Sequence, residues 1–171
     1  TNFADSLLIQ TDTDGSAPGT GTLSSASNNI GIGKDVFAAL TSGSNNVAIG
    51  NGNMDACTTG NTNVSIGSGA HGALTTAYSS TAVGYNALAA LETGYYNTAV
   101  GHTALKVCTG NYNTAVGHNS LITVTSGGHN TGLGWQTLNV TTGQWNTAVG
   151  SQCLQANTSG NYNVAMGHLA L

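Results

Sequence analysis

Five ring side chains, Tyr96, Tyr112, His129, Trp145 and Tyr162, recur at intervals of 16 or 17 residues. A second set, Tyr85, His102, His118, Trp135 and His168, keeps the same beat with one place skipped. Tyr and Trp are common anchors in binding surfaces, so rings spaced along an elongated body suit contact with a sugar or a protein receptor. The same rings can instead stack on one another and cover the edges of the structure beneath. Tyr96, Tyr112, Trp145, Tyr162 and Trp135 are the candidate ligand contacts. The histidines of the second set would ring a metal only if that set faced a symmetry axis, since imidazole is a common ligand. A solvated turn position is the alternative, and no metal site is assigned.

Other chemistry is sparse. Glu92 is the only glutamate, no carboxylate pair recurs, and no Ser-His-Asp or Cys-His pair has a useful spacing. No catalytic residue and no cofactor is therefore assigned. Asp12-Thr13-Asp14-Gly15 has the start of a calcium loop without its downstream glutamate, and is read as a turn. Only 5% of residues are charged, arginine is absent, and Lys34 and Lys106 are the only lysines. A net charge of −4 without a basic cluster argues against nucleic acid and against an anionic membrane surface. No stretch approaches the roughly 20 apolar residues of a membrane span.

The elements that carry the rings follow from a repeat. Gly33, Gly50, Gly67, Gly84, Gly101, Gly117, Gly134, Gly150 and Gly167 close nine variants of Asn-x-small-aliphatic-Gly. So strict a period means one small unit stacked on itself. In Asn97-Thr98-Ala99-Val100-Gly101 the alternation and the β-branched residues predict a short strand. Its aliphatic and Thr side chains are expected to look into the rung, and its Asn and small residues to face outward. Leu88, Leu105, Leu121, Leu138 and Leu154 lie four residues after the anchor glycines and predict a return strand, with a short helix as the competing reading. Gly43, Gly60, Gly94, Gly110, Gly127, Gly143 and Gly160 each stand three residues before the next Asn and predict a turn with Gly at positive φ. The fold class is all-β: a parallel β-solenoid, or β-roll, of about nine rungs of 16–17 residues.

Residues 28–171 form the repeat, and residues 1–27 read as a lead-in, cap or junction. The start at Thr1 suggests a processed product or a piece of something longer. Cys57 and Cys108 fall three rungs apart in one column, about 14 Å at ~4.8 Å per rung, too far for a disulfide. All three cysteines are expected to be buried or half-buried thiols, with pairing between chains as the alternative. The Asn column from Asn29 to Asn163 is broken only by Ser80 and predicts an amide ladder. The third rung is irregular, with His71 in the Leu column and Gly69 and Gly72 in the return segment.

So thin a roll buries little per residue, and the small-residue column would let copies of the chain pack closely about a symmetry axis. Asn46-Val47-Ala48-Ile49-Gly50, Asn63-Val64-Ser65-Ile66-Gly67 and Asn163-Val164-Ala165-Met166-Gly167 resemble the Asn-Ser-Val-Ala-Ile-Gly repeat of trimeric autotransporter adhesin heads. The full rung, Thr-Gly-x-Tyr-Asn-Thr-Ala-Val-Gly-x-x-Ala-Leu, is also similar to repeats in phage tail-fibre and related virion proteins. The resemblance covers about residues 28 to 171. It implies three chains packed about a three-fold axis, a cell-surface glycan or protein as partner, and a place on a virion or outside a cell. The rungs are longer than the adhesin type, and Thr81, Thr98, Thr114, Thr131 and Thr147 stand where that repeat has Val. The expectation is a structural, receptor-binding fibre or adhesin segment without catalysis. An ice-binding solenoid is the alternative, and it requires the Thr column to be exposed on a flat face.

Overall fold

A computed structural model of the chain describes residues 7–9 and 25–171. Ten strands of three residues form one parallel sheet. They are Leu7–Ile9 (β1), Ile30–Ile32 (β2), Val47–Ile49 (β3), Val64–Ile66 (β4), Thr81–Val83 (β5), Thr98–Val100 (β6), Thr114–Val116 (β8), Thr131–Leu133 (β10), Thr147–Val149 (β12) and Val164–Met166 (β13). Neighbours pair in strict register, so Thr98 lies beside Thr81 and Thr114, and Ala99 beside Ala82 and Ala115. The chain is a parallel β-solenoid of about eight turns, without a helix among the described residues. β1 pairs with β2 as Leu7 to Ile30, so the segment before the repeat contributes one more strand. Asp12-Thr13-Asp14-Gly15 lies outside the described residues.

The strand faces are the reverse of the sequence expectation. The small residues Ala48, Ala82, Ala99, Ala115 and Ala148 are fully buried, and so are the asparagines that precede them. The aliphatic and Thr side chains point out of the rung. Crowding from the far wall explains the choice. A Cβ on Gly132, which occupies the small column, would stand 2.8 Å from Ser120 Oγ and 3.1 Å from Leu121 Cδ1. Only Gly, Ala or Ser fits between the strand and the Leu column behind it. Small side chains here serve the interior of one chain rather than the approach of another.

Inside, the Asn column forms the expected ladder. Asn113 Oδ1 accepts from the Asn130 backbone N–H at 3.0 Å, and Asn113 Nδ2 donates to the Gly127 carbonyl at 3.1 Å. The pattern repeats from Asn29 to Asn163, with Ser80 Oγ accepting from the Asn97 N–H at 3.2 Å in the irregular turn. Each amide thus ties two turns together where no water reaches.

The return segment is strand in three turns only, at Val107–Cys108 (β7), Thr123–Val124 (β9) and Val140–Thr141 (β11). The stretch from the anchor glycine to the Leu column is a chain of turns throughout, with alternate residues such as Asn86 and Leu88 at φ of 51° and 50°. Left-handed residues at every second place cannot extend as a strand. Their backbone groups still pair from turn to turn, as Leu88 N–H to Ala104 O at 3.1 Å shows. The Leu column, with Phe37 and Met54, fills the interior.

The positive-φ expectation for the turn glycines moves to other places. The residue before each Asn takes it, as at Tyr96 and Tyr112 (φ 56° and 59°), and so do the anchor glycines, with Gly101 at 140°. Gly110 is a glycine for lack of room, since a Cβ there would lie on the Gly127 carbonyl of the next turn. Cys57, Cys108 and Cys153 are free and buried. Burial pushes the thiols of Cys57 and Cys108 up to about 11.

Candidate functional site

Four of the five candidate contacts come together. Tyr96, Tyr112, His129, Trp145 and Tyr162 form one continuous ring stack along the solenoid, with centroids 5.2, 4.7, 5.2 and 5.1 Å apart. The left-handed residue before each Asn throws these rings outward at a single corner, and strand register then sets their spacing. The Tyr and Trp rings are 44–74% exposed and His129 is exposed too, yet each inner ring has both faces covered by its neighbours. The stack therefore offers edges, hydroxyls and ring nitrogens to a ligand, not open faces.

Trp135 stands apart, in the set that follows the anchor glycines. Tyr85 stacks on His102 at 5.2 Å, and His102 lies 5.0 Å from His118. Trp135 Nε1 donates to His118 Nδ1 at 3.1 Å. An indole can only donate, so Nδ1 accepts and the neutral His118 ring carries its proton on Nε2. That tautomer turns an N–H outward rather than a lone pair. Among the described residues no three His, Cys, Asp or Glu side chains are grouped to hold a metal ion.

Two features escaped the sequence reading. Tyr78 and Tyr95 make a second stack, 5.0 Å apart and 8° from parallel, edge-on to Tyr96. They occupy the column two residues before each Asn, and Tyr95 was legible there as the immediate neighbour of Tyr96. That column continues as Asn111, Gly128 and Gln144, and where the rings stop a groove of about 430 Å³ opens.

The second feature is the outward face of the ten-stranded sheet, lying between the two ring sets. One column runs Thr81, Thr98, Thr114, Thr131, Thr147, and beside it run Val83, Val100, Val116, Leu133, Val149. Ile30, Ile32 and Ile66 continue it with exposures of 36–41%. No outward strand position carries a charge. Ten strands at ~4.8 Å by three residues at ~3.3 Å make an uncharged face of about 480 Å². Its aliphatic column makes an apolar stripe beside the threonines, and the largest apolar patch on a soluble protein is often functional.

The fold places the chain in the class of parallel β-solenoid repeat proteins. No family model, curated protein or solved structure matches it.

Proposed function

We propose that the chain is a self-associating structural segment of a fibre or adhesin, which carries receptor contacts and performs no catalysis. The outward sheet face carries this reading. It is long, uncharged and lined by Val, Ile and Leu that a solvated monomer would leave wet. Its occupant is two further copies of the same chain, each laying the same in-register columns against the others around a three-fold axis. The interface is then the Thr and aliphatic columns, not the Gly/Ala/Ser column. The resemblance to tail-fibre and trimeric adhesin repeats supports the same arrangement, on a virion or outside a cell. The ring sets at either side of the interface would remain outward, free to meet a cell-surface glycan or protein.

The test is the pair Val100→Asp and Val116→Asp. Both side chains point out of the rung, so each solenoid keeps its interior while the shared face acquires charge. Wild type should run as three chains and the double variant as a folded monomer. A wild-type monomer refutes the assembly.

One observation favours a second reading. The five threonines stand outward in register at ~4.8 Å and are half-buried, an in-register column of the kind an ice-binding solenoid would use. Micromolar protein would then restrain ice recrystallisation, and the Asp variants would not. Unrestrained crystal growth with wild type removes this reading.

A further inference from the structure

We propose that the groove beside Gly128 is a binding site for a neutral saccharide. This deepens the reading of the aromatic corner as a contact surface, and does not depend on the three-chain assembly.

The groove arises from one missing side chain. In its column Tyr78 and Tyr95 stack, Asn111 and Gln144 follow, and Gly128 between them leaves a gap. Tyr95 bounds one end and Gln144 the other, and the edges of Tyr112 and His129 form a wall. A Cβ built on Gly128 meets only the Asn111 carbonyl, at 3.1 Å, so the space above the backbone is open. At about 430 Å³ the groove is within the ~300–1,000 Å³ of small-ligand sites and admits about one or two sugar rings.

Its chemistry selects the ligand. Among the described residues nothing pairs with the Ser126 hydroxyl, the Gln144 amide, the Tyr112 hydroxyl or the His129 ring nitrogens. Asn111 Oδ1 is engaged by the Tyr95 N–H at 2.9 Å, which leaves its amide N–H groups pointing free of that bond. These groups line the groove beside the edges of Tyr112 and His129. A sugar has hydroxyls around its rim that both donate to and accept from such groups. No charged residue lines the groove. Glu92 stands beside Thr109 at the margin and Lys106 lies three residues before Thr109 on the same turn, so no cluster of cations gathers there to hold an acid group. An uncharged hexose oligomer therefore fits better than a sialylated, uronate or phosphorylated glycan.

The blocking variant is Gly128→Gln. The same column accepts Asn, Tyr and Gln in other turns and Gly128 lacks a positive φ, so the change asks only for a small shift of the Asn111 carbonyl, checked by an unchanged circular dichroism spectrum. Cellotetraose, mannotetraose and galactotetraose serve as neutral probes in titrations, and sialyllactose and tetragalacturonate as acidic ones. At least one neutral probe should bind, and Gly128→Gln should weaken it tenfold or more. Tyr95→Ala should weaken it similarly. Neutral binding that survives Gly128→Gln overturns the groove. Binding of acidic probes in preference, or of no probe at millimolar concentration, overturns the saccharide site. Solution mass measured on the same samples reads the fibre assembly separately, so either can fail alone.

Discussion

Replacing His71 with leucine puts into the third turn the side chain that most turns carry at that place. Leu88, Leu105 and Leu121 fill the column with fully buried apolar groups. His71 is equally buried, and neither of its ring nitrogens has a partner. Each unpaired buried polar atom costs about 1–3 kcal/mol, so His71→Leu should stabilise the fold by about 2–6 kcal/mol at neutral pH. Acid enlarges the difference. Desolvation lowers the His71 pKa from its ordinary 6.5 to about 3. Between those values the unfolded chain takes up a proton that the folded chain refuses, so stability falls as pH falls. A gap of about 3.5 pH units at 1.36 kcal/mol each is a loss of about 5 kcal/mol by pH 3, about 3 of it by pH 4. The remaining histidines are exposed and the carboxylates are common to both proteins, so they cancel in the comparison. Urea unfolding followed by circular dichroism at pH 7, 5.5 and 4, at one protein concentration, reads the difference. The variant's advantage should grow by about 3 kcal/mol across that range. Parallel pH profiles, or a variant less stable than wild type at pH 7, would refute the burial of an unpaired imidazole.

Three further outcomes follow from the interior. Asn113→Ala strips the Gly127 carbonyl and the Asn130 N–H of their partners, and should cost about 2–5 kcal/mol in the same unfolding measurement. Gly101→Ala would place a Cβ 2.5 Å from the Gly117 carbonyl oxygen at a φ of 140°, and should abolish soluble folded protein, read as loss of the cooperative unfolding transition. The three thiols should resist a chromogenic disulfide reagent at pH 8 in the native protein and all react in denaturant, since each is buried and burial raises those of Cys57 and Cys108.

The repeat made the solenoid legible, because a fixed interval between Asn-x-small-aliphatic-Gly segments forces turns to stack in register. The amide ladder and the buried thiols were legible for the same reason. Which face of the strand turns inward was not. Period-two alternation gives two faces without naming the inner one, and hydrophobicity suggested that Val100 and its column went inside. The interior is too narrow for that: Leu121 Cδ1 would stand 3.1 Å from a Cβ on Gly132, so only Gly, Ala or Ser fits in that column. The return strand was legible in part: it forms at Val107–Cys108, Thr123–Val124 and Val140–Thr141, while Leu88 and its equivalents, which look like strand residues, take a left-handed backbone. At the candidate site, the interval placed Tyr96, Tyr112, Trp145 and Tyr162 in one column and Trp135 in another. The Gly128 gap was invisible, since one glycine among 25 carries no signal until its neighbours in space are known.

Light scattering on the purified chain at micromolar concentration bears most directly on the proposed assembly. Three copies of a 17.0 kDa chain give about 51 kDa, and the Val100→Asp, Val116→Asp protein should return to one copy with its circular dichroism unchanged. A wild-type mass of 17 kDa, with a cooperative unfolding transition, would contradict the shared face and leave the solenoid standing as a self-sufficient monomer.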